Sequence, residues 1–298
     1  MISPRPFSVT VHPFTSPTPN ACAYERGDSL SRNALVFIGG LTSGPHTALA
    51  LLNTVFQALH DAELGYSVWE FRMRSSFTGF GYSSLTNDVE DIAALVRYLR
   101  EFGRKKVVLM GSSTGCQGCM EYMNVSKYNV PEVDAYVLQA PTSDRETASM
   151  LMSSDFYKLT LKFAESEIAR GSKDGIMPKD LIPNIFDSPI SVYRWHSLIS
   201  EGGDDDYFSS DLSASALVAK FSRMNKPTLI LPSEKDEMVP PTVDKEALLQ
   251  KWIQACPVNL VSPISSLVPD SDHVLSALES QQWFADRMVR FLGSLNGS

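Results

Sequence analysis

Apolar positions fall into short blocks of two kinds, and the two kinds alternate along the chain. Residues 34–38, Ala-Leu-Val-Phe-Ile, are apolar throughout, as befits a strand covered on both faces. Residues 67–72, 105–110, 133–139 and 226–231 are further blocks of strand length. Between them apolar residues recur at helical spacing. Leu51, Val55 and Leu59 form one such stripe, and Val89, Ile92, Val96 and Leu99 another, with Gly65 and Gly103 as stop signals. Thr86 or Asn87 can cap the second helix, and Asp88, Glu90 and Asp91 suit its positive N-terminal dipole. Near the start, residues 7–14 alternate, with Phe7, Val9 and Val11 against Ser8, Thr10 and His12. That predicts a half-exposed edge strand with His12 toward solvent, paired with residues 22–24. Residues 259–261 read as a last short strand, and Leu278, Phe284, Met288 and Phe291 mark a final helix.

Strand and helix in alternation predict an α/β fold, a mostly parallel central sheet with helices on both faces. The alternation breaks from about residue 144 to 224. Phe156, Leu159, Phe163 and Ile168 follow helical spacing up to Gly171, and then come Pro178, Pro183, Pro189 and an acidic turn at 201–206. A stretch of this length between two sheet strands reads as a mainly helical cap over the carboxyl ends, where ligands bind. The expected organisation is a core of residues 1–143 and 225–298 with a cap insertion at 144–224. His196, beside Trp195, reads as a packed cap residue.

The block at 105–110 ends abruptly in Gly111-Ser112-Ser113-Thr114-Gly115, a G-x-S-x-G pattern. In that pattern a buried strand turns sharply into a helix and leaves its central serine, here Ser113, at the apex. The block at 34–38 ends in Gly39-Gly40-Leu41-Thr42-Ser43-Gly44. Its glycines let the backbone approach a ligand, and the N–H groups of Leu41 and Thr114 are the expected oxyanion donors. A plain strand-to-helix turn is the alternative for that loop. Past residue 231 comes Ser233-Glu234-Lys235-Asp236-Glu237, where the acid of a nucleophile triad belongs. Asp236 is the choice, with Glu234 and Glu237 as competitors. His273 is the one histidine after Asp236. A serine hydroxyl needs an imidazole to take its proton, and the carboxylate holds that imidazole in the useful tautomer. The aromatics of residues 74–82 either line a pocket mouth or pack beneath their loop.

Composition narrows the partners. The net charge of −8 argues against nucleic acid or an anionic membrane as a main partner. Cys22, Cys116, Cys119 and Cys256 are too few and too irregular for a disulfide framework, which fits a reducing compartment. Cys116 and Cys119 form a C-x-x-C pair, but with no second ligand pair they read as packed helix cysteines. No secretory leader and no membrane-length apolar run is visible, so a cytoplasmic protein is expected.

The glycine loop at 39–41, the Ser113 motif, Asp236-Glu237-Met238-Val239-Pro240 and Asp272-His273 all look like α/β-hydrolase signatures. Gly79–Leu85, the Gln-Ala-Pro-Thr-Ser-Asp-Arg-Glu run at 139–146 and Asp-Asp-Tyr-Phe-Ser-Ser-Asp at 205–211 sharpen the likeness. The chain resembles, over residues 7–292, a mainly fungal hydrolase family that includes esterases of the siderophore fusarinine C. The resemblance implies a Ser113–His273–Asp236 serine esterase that opens ester bonds of an imported ferric hydroxamate siderophore. No cofactor is needed by that chemistry, since iron arrives with the substrate. Fusarinine C carries free amino groups, with which the Asp204–Asp206 cluster is compatible. Rival expectations are a carboxylesterase or thioesterase on another acyl substrate, and a non-catalytic binding protein of the same fold.

Overall fold

The computed structural model describes residues 6–28 and 30–295. Seven strands form one sheet in the order β1-β2-β4-β3-β5-β6-β7. They are β1 (Thr10–Pro13), β2 (Cys22–Arg26), β3 (Asn33–Ile38), β4 (Tyr66–Phe71), β5 (Lys106–Ser112), β6 (Ala135–Gln139) and β7 (Thr228–Leu231). The hairpin β1–β2 joins β4 antiparallel, and β4, β3, β5, β6 and β7 run parallel. Strand β3 is buried along its whole length, which is why its sequence shows no alternation.

Within β3 the side chains still divide by the pleat. Leu35 and Phe37 face α1 (Leu49–Asp61) and α9 (Leu278–Ser294). Val36 and Ile38 face the other layer, formed by α2 (Leu85–Glu101), α3 (Gly115–Tyr122), α7 (Ala214–Phe221) and α8 (Lys245–Ala255). A third apolar cluster lies apart from these two. It gathers Ala148 of α4 (Asp144–Leu151), Ala164 of α5 (Ser154–Ala169) and Trp195 and Leu198 of α6 (Val192–Ile199), with Phe80 beneath. No named strand lies between β6 and β7, and of the helices there α7 packs with the sheet layer rather than with the third cluster.

Several local expectations are corrected. Strand β1 is shorter than residues 7–14, and its faces are inverted: Val11 is half exposed while His12 is buried. His12 lies against Trp69 and Phe102, and its ring nitrogens bond Glu25 Oε2 at 3.1 Å and Tyr98 Oη at 2.9 Å. Glu25 is itself fully buried and ion-paired with Arg104. A polar face with that many partners outcompetes a valine for the inner side.

The cap of α2 is Ser84, whose side chain accepts from the Asn87 N–H at 3.2 Å. Asp91 serves Arg74 instead of the dipole, accepting from its backbone N–H and its Nε at 2.8 and 3.2 Å. Phe284, Met288 and Phe291 of α9 are buried as expected, and Phe156, Phe163 and Ile168 of α5 pack against the third cluster, but Leu159 and Leu278 point outward. The expected strand at 259–261 reduces to single bridges, Thr228 to Val261 and Ser233 to Val268.

Candidate active site

Strand β5 delivers Ser113 at φ +55°, a left-handed conformation that costs a non-glycine residue on the order of 1–3 kcal/mol. The neighbours hold it there. A Cβ on Gly111 would stand 2.4 Å from the Gly115 carbonyl oxygen, and one on Gly115 would stand 2.1 Å from that of Ile38. Both glycines are therefore steric necessities of a helix starting tight against β3 and β5. The Ser113 N–H donates to Gln139 O at 3.0 Å, and Ser113 O accepts from the Cys116 N–H at 2.8 Å.

The three residues picked out by order and spacing come together. Ser113 Oγ lies 2.8 Å from His273 Nε2, and His273 Nδ1 lies 2.9 Å from each Asp236 oxygen. Asp236 Oδ1 also accepts from the Met238 N–H at 2.9 Å. Asp236 and His273 are both buried. Burial alone would lower the histidine pKa. The hydrogen bond and charge of Asp236 outweigh it, with Glu237 and Asp144 adding, so the imidazole ends above its ordinary value.

The competitors for the acid role do something else. Glu237 Oε2 accepts from the His273 N–H at 2.9 Å, and Glu234 Oε2 accepts from the Asp270 N–H at 2.7 Å. Both pin the loop that carries the histidine. Gln139, at the end of β6, ties the two halves of the site: its Nε2 donates to His273 O at 3.0 Å and its Oε1 accepts from Ser112 Oγ. Sequence reasoning missed these supports. Their position at strand ends was a signal, but their partners lie up to 134 residues away.

The loop after β3 reaches the serine closely. A Cβ on Gly40 would sit 2.7 Å from Ser113 Cβ, so glycine there admits the loop backbone to Ser113. Among the described residues, the backbone N–H groups of Leu41 and Thr114 donate to no protein acceptor. Thr42 follows at φ +65°. Phe80 packs beneath the 74–82 loop in the third cluster, whereas Phe77 and Tyr82 are about half exposed.

A second polar group sits beside the site. Asp144 accepts from Thr114 Oγ1 at 3.0 Å and from Gln117 Nε2 at 2.9 Å. Burial pushes its carboxyl up to about 7, the Asp205 charge adding, against Arg194, the Thr114 hydroxyl and His273. The acidic turn is not presented as a free cluster. Asp205 and Asp206 are buried; Asp205 pairs with Arg194 at 2.6 Å and Asp206 with Arg145 at 3.4 Å. Cys116 and Cys119 are buried in α3, and burial raises both thiols. No helix among the described residues is long and apolar enough to cross a membrane.

The family model described as "Protein of unknown function (DUF1749)" matches residues 1–293. The chain belongs to the DUF1749 family. It is 28% identical to the fusarinine C esterase sidJ of Aspergillus fumigatus, over 88% of this chain and 89% of that protein. It is 30% identical to the UPF0613 protein PB24D3.06c of Schizosaccharomyces pombe, over 89% of each. Among solved structures, the siderophore hydrolase EstB from Aspergillus fumigatus superposes with a TM-score of 0.81 at 26% identity, over 98% of each chain. This DUF1749 member has the α/β-hydrolase fold, with seven mostly parallel strands and helices on both faces.

Proposed function

We propose that this DUF1749 member is a serine esterase acting, inside the cell, on the ester bonds of a hydroxamate siderophore of the fusarinine C kind. The observation that carries the serine mechanism is the continuous hydrogen-bonded line from Asp236 through His273 to Ser113, with Ser113 held at a positive φ. The names of the similar proteins support ester hydrolysis and a siderophore substrate.

His273 Nε2 takes the Ser113 proton as Oγ attacks the ester carbonyl carbon. Leu41 and Thr114 N–H groups receive the negative oxygen, at about 3–4 kcal/mol for each donor. The C–O bond to the alcohol then breaks, and His273 returns the proton to the departing oxygen. Water, deprotonated by the same imidazole, cleaves the acyl-enzyme to free acid and Ser113. Asp236 holds the Nδ1–H and balances the imidazolium as it forms. In this proposal residues 144–224 act as the cap that shapes the substrate cleft over the core of 1–143 and 225–298.

The test is hydrolysis of iron-loaded fusarinine C, followed by mass spectrometry, for wild type beside Ser113→Ala and His273→Ala. Ring opening by the wild type and by neither variant is expected. An intact siderophore, with a simple activated ester still cleaved through Ser113, would overturn the siderophore assignment and leave an esterase of another small acyl substrate.

A further inference from the structure

The loop after β3 is tied at three points. Near its start Gly40 lies against Ser113, and the Ser43 N–H donates to Gly40 O at 3.0 Å. Half-way along, Ser43 O accepts from the Phe77 N–H at 2.9 Å. At the far end stands His46. Its backbone N–H donates to Glu70 Oε1 at 2.7 Å, and its ring Nδ1 lies 3.2 Å from Glu70 Oε2. Glu70 is the penultimate residue of β4 and only 4% exposed. The proposed reaction makes no direct use of it.

A carboxylate in such a place is costly unless it is paired and hydrogen-bonded. Arg26 of β2 balances its charge from 3.9 Å, and the loop supplies its donors. The loop itself is strained. Thr42 stands at φ +65° and His46 at φ +70°, conformations that persist in residues other than glycine only where the surroundings impose them. Packing leaves the loop room to move. A cavity of about 30 Å³ lies against Gly39, Gly40, Leu41 and Ser43, with Glu70 on its wall. The loop therefore depends on its hydrogen bonds, and the shortest of the three backbone ties above ends on Glu70.

We infer that Glu70 is a positioning residue: by fixing the loop at His46 it keeps the Leu41 N–H directed at the oxyanion as that charge forms. Glu70 touches neither the substrate nor the reacting atoms. Its effect falls on the transition state, where the oxyanion exists, and not on the bound ester, whose neutral carbonyl gains little from the N–H. This deepens the esterase proposal and rests on it.

The test measures p-nitrophenyl butyrate hydrolysis per active site for wild type, Glu70→Ala and Glu70→Gln. Active sites are counted by fluorophosphonate labelling of Ser113 carried to completion, which removes any contribution from misfolded protein. Glu70→Ala is expected to lose about 10- to 100-fold in kcat with KM within about twofold, the pattern of an interaction made only in the transition state. Glu70→Gln keeps an oxygen for the His46 N–H and is expected to stay within about fivefold of wild type. A trifluoromethyl ketone, which forms an oxyanion on Ser113, should bind Glu70→Ala more weakly by the same factor as kcat/KM falls. An unchanged kcat per labelled site in Glu70→Ala overturns the inference, as does a loss confined to KM. Equal losses in the two variants overturn it too. Amide exchange of the wild type over residues 41–47 needs no variant, and decides the matter if Glu70→Ala does not fold. Protection already present without the ketone supports a loop preset by Glu70; protection that appears only with the ketone overturns it. Labelling of Ser113 with a Glu70→Ala as active as wild type removes the Glu70 assignment alone. A wild type that is neither labelled nor able to cleave the ester removes the esterase proposal with it.

Discussion

Asp236 and Asp144 both reach the Ser113 turn, and their surroundings differ in kind. Asp236 meets a partner that can become a cation, His273, with both oxygens at 2.9 Å, and a backbone N–H besides. Asp144 meets two neutral donors and an apolar cleft. The same side chain is thus set up in one place to balance charge that arises within the protein. In the other it sits beside neutral donors only, and its carboxyl is pushed up to about 7. Residue type gives the chemistry available; the partners decide which chemistry is used.

That contrast can be broken most severely at the reacting line itself. Ser113→Ala or His273→Ala should cut kcat by about 10⁶-fold while leaving the folded state intact, measured by ester turnover beside circular dichroism. Asp236→Asn should cost on the order of 10⁴-fold, because the amide favours the wrong imidazole tautomer. Gly40→Ala comes next. Its Cβ would stand 2.7 Å from Ser113 Cβ, so turnover should fall by about 10²-fold as the loop is displaced from the serine.

Finer changes sharpen the contrast through pH. The imidazole must be neutral to take the Ser113 proton, and its pKa is raised above 6.5. Wild-type kcat/KM should therefore fall as pH drops through a value higher than that of an ordinary histidine. Glu237→Gln keeps an oxygen for the His273 N–H but removes one of the charges that raise the pKa. It should move the acid limb downward by a fraction of a unit and slow turnover only a few-fold. Asp88 should show the smallest and opposite effect. Its folded pKa, about 6, lies above the ordinary 3.8, so the protonated form favours the fold. Stability from this group is complete below the unfolded value and is lost as pH rises through about 6. Asp88→Asn should thus raise stability at pH 8 by about 1–2 kcal/mol and change little at pH 4, by denaturant unfolding.

The sheet was legible wherever the strands are buried on both faces. The blocks now seen as β3, β5 and β6 are apolar because no water-facing side exists, so they could not be mistaken for half-exposed strands. The glycines around Ser113 were legible for a similar reason, since a Cβ at either has nowhere to go. The edge strand misled. Its valine faces out and its histidine in because Glu25 and Arg104, distant in sequence, build a polar interior for His12. Ser84 displaced Thr86 and Asn87 as a cap because helix ends are decided by one turn of backbone. Gln139 and Glu237 stand at strand ends, which was a signal, but like Asp144 they matter through partners that only the fold brings near.

The ties among Gln139, Ser112 and His273, with Glu237 on the histidine backbone, lie wholly within the sheet and the loops at its ends. Toward the helices after β6, the polar links to this machinery run through Asp144 and Thr147, the latter donating to Met238 O at 2.8 Å. Most of the residues between β6 and β7 are thereby released from the demands of the site. In the proposed esterase those helices could be exchanged for new cargo while the site beneath stays as it is. A chimaera that exchanges the helices between two relatives, but keeps these two residues, should transfer the taste for substrate without rebuilding the chemistry.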